Sequence, residues 1–241
     1  MTCDHVWFER VAAGSGLDRF ERTLDGPERS RAVAFVRDAD RRAYVTAHGL
    51  LRLALSWAQP SVEPSAWRFR TARCGKPELA DDRFGIRFSL SHCATHAAVA
   101  LSDRGECGVD VECTERPADL ELLADTVLSP RELARFRAAA GSGRRWVFFR
   151  CWTLKEAYAK AVGLGLRLPF DQLDFGFGTP IELTDQGTSG HDVRDWLFAH
   201  WTQGASSFAV AFRDNPGTYR KLMRHPGMET PNPGSRHTQP G

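Results

Sequence analysis

The stretch Gly-Val-Asp-Val-Glu at 108–112 carries two carboxylates separated by one apolar residue. On a strand, alternation puts Asp110 and Glu112 on one face and Val109 and Val111 on the other. Like charges held that close repel one another, and a hard divalent cation bound through oxygen relieves the repulsion. A half-exposed strand with its acidic face in water fits the same pattern. Further on, Trp-Thr-Leu-Lys-Glu-Ala-Tyr-Ala-Lys (152–160) reads as helix. Glu156 and Lys160, four residues apart, share a face with Trp152, whereas Lys155 lies about 100° around the axis. As a surface ion pair, Glu156 and Lys160 would contribute only ~0.2–0.5 kcal/mol. Beside Asp110 and Glu112, Glu156 becomes a third carboxylate for Mg²⁺, with coordination positions left for water and phosphate oxygens. Lys155 and Lys160 would then neutralise a polyphosphate. Of the 32 basic residues only four are lysine, and two of those stand in this one helix.

Other groups suit the same chemistry. Phe-Ser-Leu-Ser-His-Cys (88–93) ends a strand with Ser91 and His92. Strand neighbours point to opposite faces, so the two form no catalytic dyad. They can serve as phosphate donors, or His92 can simply close the strand. Cys-Gly-Lys-Pro (74–77) is a turn that holds Lys76 outward. Between residues 29 and 52, Arg29, Arg31, Arg37, Arg41, Arg42 and Arg52 outnumber Asp38 and Asp40. Such a patch fits an anionic ligand or a solvated helix face.

These residues need a scaffold. A chain of 241 residues, 42% hydrophobic and 26% charged, is long enough for a substantial core. A formal charge of +2 does not call for a nucleic-acid or membrane partner. The six cysteines form no CxxC pair, which speaks against a zinc site or disulfide framework and for reduced thiols in the cytoplasm. Neither a leader nor a membrane span is expected. Segments 5–9, 67–70, 86–91, 96–102, 106–112, 172–177, 194–202 and 208–213 read as strands. Helices are expected over 27–36 and 38–59, then over Ser-Pro-Arg-Glu-Leu (129–133) and onward, with Ser129 and Glu132 forming a capping box, and over 144–163. Strands and helices interleave without regular βαβ alternation, which gives an α+β fold. The expected organisation is an N-terminal half over 1–103, a C-terminal half over 104–214 and a flexible tail over 215–241.

Taken in order, GKP, SLSH, GVDVE and WTLKEAYAKAVGLGL resemble the motif series of the surfactin-type 4'-phosphopantetheinyl transferases, and RRAYVTAHGLLR resembles that family's N-terminal helix. The resemblance covers about residues 5–213. It implies two similar α+β halves with coenzyme A bound between them. It also implies an enzyme that moves the phosphopantetheine arm to a serine of an apo acyl or peptidyl carrier protein and releases 3',5'-ADP. By position, Asp110, Glu112 and Glu156 would hold Mg²⁺, or Mn²⁺ in its place. Lys160, His92 and Ser91 would contact phosphates, with Lys155 adding charge. Lys76 would sit near the adenine, and Arg29, Arg42 or Arg52 would face the 3'-phosphate. Ser89 and Cys93 depart from the residues common in the family.

On this reading the carrier's serine attacks the β-phosphorus while cations withdraw charge from the pyrophosphate. Asp110 and Lys160 act in the reaction, Glu156 is the first choice of base, and Glu132 is the second. A chain with both halves is expected to work as a monomer. Two other readings compete: a Mg²⁺-dependent nuclease, for which Thr114 stands where an E-x-K lysine belongs, and a non-catalytic protein that binds coenzyme A or a carrier. The pathway served, whether fatty-acid, polyketide or nonribosomal-peptide, is not encoded in these motifs.

Overall fold

A computed structural model describes residues 4–72, 75–185, 187, 189, 190, 192–213 and 222–227. The first half opens with β1 (Asp4–Arg10) and the helices α1 (Ser15–Glu21), α2 (Gly26–Val33) and α3 (Asp38–Ala58). A short hairpin, β2 (Phe69–Thr71) and β3 (Pro77–Leu79), precedes β4 (Arg87–His92) and β5 (His96–Ser102). The second half begins at β6 (Cys107–Cys113) and continues through α4 (Leu120–Val127), α5 (Pro130–Ala138) and α6 (Ser142–Val162). It closes with the hairpin β7 (Leu173–Phe175) and β8 (Leu183–Asp185), then β9 (Trp196–Gln203) and β10 (Ser206–Arg213), and β11 (Leu222–Pro226) follows. The expected α+β class holds.

Two sheets stand back to back between the two longest helices. One has the order β11-β1-β5-β4 and the other β6-β10-β9. Strand alternation distributes the side chains among three cores. Trp7, Val99 and Leu101 face α3, where Ala47, Leu50 and Leu51 meet them. Val6, Phe8, Ala98 and Ala100 point the other way and meet Val109, Val111, Phe208 and Val210 of the second sheet. Ala209 and Ala211 face α6 beside Leu154 and Ala157. The layers therefore run helix, sheet, sheet, helix. Each buried Leu, Val or Phe in them contributes roughly 1.5–3 kcal/mol.

Local signals set the helix ends. Ser129 and Glu132 form the expected capping box of α5, with Pro130 in its first turn. Asp25 and Glu28 do the same for α2. Gly163 ends α6 in the left-handed conformation, at φ 75°.

Two features position the site. First, β4 and β6 meet through side chains: Val109 N–H donates to Ser89 Oγ (3.0 Å) and Val111 N–H to Ser91 Oγ (3.3 Å). Serine hydroxyls thus satisfy edge donors that a backbone ladder would otherwise take. Second, a Cβ on Gly108 would lie 1.8 Å from the carbonyl oxygen of Ala157. Only glycine lets α6 approach β6 so closely.

Part of the segment expected to be a flexible tail is strand, and the rest of that expectation, over 215–221 and 228–241, lies outside the described residues. Leu222–Pro226 pairs in parallel with β1, from Asp4↔Leu222 to Phe8↔Pro226. Its composition is turn-like, but β1 offers a free edge and His225 stacks on Trp7 with ring centroids 4.9 Å apart. Among the described residues no helix is long and apolar enough to cross a membrane.

Candidate active site

Asp110 lies mid-strand in β6, facing α6 and 4% exposed. Its Oδ1 accepts hydrogen bonds from Lys160 Nζ (2.7 Å) and Ser91 Oγ (2.8 Å). Lys160 Nζ also donates to Ser91 Oγ at 2.8 Å. The triangle draws on one strand of the first half and on a strand and helix of the second. The other carboxylate oxygen, Asp110 Oδ2, is buried with no hydrogen-bond partner.

Glu112 continues the same face at the end of β6. Trp152 Nε1–H donates to its Oε1 at 3.0 Å, and Arg116 Nε lies 3.4 Å from its Oε2. Burial first, and Asp110 second, push its carboxyl above the ordinary range, against the pull of Arg116, Trp152 and Lys160. Glu156 stands one helical turn before Lys160. Burial raises its pKa to about 7, Asp110 and Glu112 add to the rise, and Lys160 opposes it. The expected juxtaposition of Asp110, Glu112, Glu156 and Lys160 is therefore present as one electrostatic unit. Among the described residues, however, no three His, Cys, Asp or Glu side chains converge closely enough to ligate one ion as they stand.

A cleft of about 220 Å³ adjoins this unit, between the Gly75, Lys76 and Pro77 turn, the Phe88–Leu90 part of β4, Ala159 and Lys160 of α6, and Gly163 and Gly165 just beyond that helix. Ser89 and Lys160 both line it. Lys76 reaches across, donating to Glu106 Oε2 (2.8 Å) and to the carbonyl of Ala161 (2.9 Å). His92 keeps part of its ring in solvent at the end of β4. The protein mass around it lowers its pKa, and His48 and Lys160 lower it further.

Several expected residues lie elsewhere. Lys155 is fully buried on another face of α6, ion-paired with Glu132 and donating to the carbonyls of Val127 (2.7 Å) and Phe170 (2.7 Å). The 100° offset from the Glu156 face carries it into the helix core, so it is not available to a phosphate in the cleft. Glu132 is equally buried. It caps α5 and accepts from Phe175 N–H at 2.8 Å, which removes it as a candidate base. Arg52 is fully buried too, bridging Asp25 (2.8 Å) and Glu28 (2.6 Å) and donating to the carbonyls of Pro64 and Trp67. It fastens α2 to α3 and does not face an outside anion. Arg42 is half-buried and pairs with Asp38 at 3.0 Å, while Arg29 is exposed and donates to the carbonyl of Leu24.

Sequence reasoning gave no role to Arg116 or His48. His48 Nδ1 lies 2.9 Å from Glu28 Oε1, on the side of α3 toward His92. Its signal was weak, a single histidine that interrupts the apolar run of α3 as Arg52 does. Trp152 was placed on the Glu156 face, and its contact with Glu112 is the reason that placement matters.

A family model described as the 4'-phosphopantetheinyl transferase superfamily matches residues 106–213, which contain all three carboxylates and Lys160. The 4'-phosphopantetheinyl transferase HetI of Nostoc sp. is 37% identical over 155 residues, 63% of this chain and 65% of HetI, so the match spans just under two thirds of that relative. The L-aminoadipate-semialdehyde dehydrogenase-phosphopantetheinyl transferase of Eremothecium gossypii is 35% identical over 192 residues, 76% of this chain and 69% of that protein. The 4'-phosphopantetheinyl transferase of Bacillus subtilis is 25% identical over 193 residues, covering 79% and 80% of the two chains. With the ordered motifs on one cleft and a relative at this identity and coverage, the chain belongs to the 4'-phosphopantetheinyl transferase superfamily.

Proposed function

We propose that the protein transfers the 4'-phosphopantetheine group of coenzyme A to a serine of an apo acyl or peptidyl carrier protein, releasing 3',5'-ADP. The observation that carries this reading is the Ser91, Asp110 and Lys160 triangle beside a cleft lined by residues of both halves. In it, Lys160 and Ser91 bind the pyrophosphate, His92 donates from the end of β4, and Lys76 borders the far side of the cleft. The carrier's serine displaces 3',5'-ADP at the β-phosphorus. Glu156, on the face of α6 turned toward Asp110, takes the serine proton directly or through water. Most of the rate enhancement then comes from positioning and from fixed donors aimed at developing charge.

The donor set suits Mg²⁺. Asp110, Glu112 and Glu156 are hard oxygen ligands, and the unpartnered Asp110 Oδ2 is a buried acceptor that a cation would satisfy. Ligation requires the Glu112 and Glu156 side chains to turn from their present positions. When bound, the ion supplies charge neutralisation at the pyrophosphate. Both halves lie in one chain, which supports a monomer, and six cysteines with no CxxC pair support a reducing, cytoplasmic setting.

The test is mass spectrometry of apo acyl and peptidyl carrier proteins incubated with the protein, coenzyme A and Mg²⁺. A gain of the phosphopantetheine mass with wild type, absent with Asp110→Ala, is expected. No gain on fatty-acid, polyketide or peptide carriers would sink the proposal in favour of binding without turnover.

A further inference from the structure

Along their seam β4 and β6 run in the same direction, since Ser89 meets Val109 and Ser91 meets Val111. Two residues after Ser91 and Val111 stand Cys93, the first residue beyond β4, and Cys113, the last of β6. Cys93 follows the two serines on the side of β4 turned toward β6, and it packs against the core that the two sheets share. Cys113 follows Val109 and Val111 on the side of β6 that fills that core.

The strand register fixes where Cys113 looks. It lies directly opposite Ser206 of β10, so their side chains share a face. Ser206 Oγ is 2.7 Å from Thr95 Oγ1 and 2.9 Å from His96 Nδ1, both in or next to the β4–β5 turn. Cys93 Sγ is 3.2 Å from the same Thr95 hydroxyl. The Thr95–Ser206 hydrogen bond therefore joins the residue that Cys93 touches to the residue that stands opposite Cys113. Both are free and half-buried, within reach of a small reagent, whereas Cys107 and Cys151 are fully buried.

We infer that Cys93 and Cys113 are a modification site, closing as a reversible disulfide that ties β4 of the first half to β6 of the second. The co-reactant is a low-molecular-weight disulfide, of which oxidised glutathione is the probe. One cysteine thiolate attacks it, forming a mixed disulfide and expelling one glutathione thiolate. The second cysteine thiolate then attacks the protein sulfur of that mixed disulfide and expels the other. The two protons lost by the protein thiols are balanced by the two taken up as glutathione thiols. The cysteine pair gives up two electrons and the glutathione disulfide accepts them. The resulting bond lies just beyond Ser91 and Glu112, so oxidation would fix the spacing of the strands that carry the site.

The experiment is peptide mapping of the full chain after equilibration with graded ratios of reduced and oxidised glutathione, on wild type and on a Cys3→Ser, Cys74→Ser variant. A linked peptide pair containing Cys93 and Cys113 is expected in both, two hydrogen masses lighter than its separate thiols. It should form at a rate independent of protein concentration and be reversed by excess reduced glutathione. Because wild type is mapped directly, the result does not depend on the variant folding. Separate glutathione adducts on the two cysteines, unreacted thiols at the most oxidising ratio, or links to any other cysteine would each overturn the inference.

Discussion

Lys160 Nζ sits 2.7 Å from Asp110 Oδ1, and both reach Ser91, a residue of the opposite half, at 2.8 Å. A helix of the second half is thereby keyed to a strand of the first through one carboxylate. The ammonium also compensates a negative charge that would otherwise be buried among two further carboxylates.

Lys160→Met should therefore damage both function and fold. It leaves Asp110 buried without its cation while Glu112 and Glu156 still repel it. Holo-carrier formation followed by mass spectrometry should fall by roughly 10²–10³-fold, the range for removing one fixed donor from a transition-state charge. Thermal denaturation should show a lower Tm. An unchanged rate would mean that Lys160 only neutralises Asp110.

Glu156 gives a pH dependence of definite sign. Its folded pKa of about 7 lies above the 4.5 of an ordinary glutamate carboxyl. A carboxyl raised in the folded state costs nothing where both states are protonated, and its cost grows as pH climbs from the unfolded to the folded pKa. Glu156→Gln should then stabilise the protein increasingly between those two values and by a constant amount above them, at most about 3 kcal/mol before solvent screening. Urea unfolding of wild type and Glu156→Gln on both sides of this window measures it. Saturating Mg²⁺ at the alkaline end should remove most of the difference, because the cation favours the ionised carboxylate. A difference that does not change with pH would mean that Glu156 is solvated.

Lys155 separates structural from functional lysine. Lys155→Met strands the Glu132 carboxylate in a fully buried position, and breaking one side of such a pair costs about 3–5 kcal/mol. At a temperature where the variant stays folded, its turnover per folded molecule should match wild type, since the side chain does not reach the cleft. A variant of normal stability with lost turnover would place Lys155 back among the phosphate contacts.

Much of this was legible in the sequence, for reasons that differ by residue. Asp110 and Glu112 could be placed on one face because strand alternation leaves no other choice, and Glu156 and Lys160 because four residues nearly complete a helical turn. The capping box at Ser129 was likewise local. The arginines were not legible. Arg52 and Arg42 have the same composition around them, yet one is enclosed by Asp25, Glu28 and two carbonyls from distant parts of the chain. Lys155 failed for a related reason: its partner, Glu132, lies on another helix and was already accounted for as a cap. β11 was missed because its pairing depends on an edge and on aromatic rings supplied from the far end of the sequence.

Gly108 sets the distance on which the whole site depends. Helix α6 presses its backbone onto β6 there, and a methyl group at residue 108 would stand 1.8 Å from Ala157 O and 2.8 Å from Ala161 N. Neither contact is the end of a flexible side chain, so Gly108→Ala can be accommodated only by lifting the helix. Overpacking of this kind costs typically 1–3 kcal/mol, and rigid backbone on both sides argues for about 3 kcal/mol here. The shift would carry Glu156 and Lys160 away from Asp110, since both are on the turns that flank the contact. We therefore expect Gly108→Ala to lose carrier modification even at temperatures where circular dichroism reports a folded chain. A conservative change on the opposite face of the same strand, Val109→Ile, should lower stability without that loss. Equal turnover in the two variants would mean that the close approach of α6 serves packing alone.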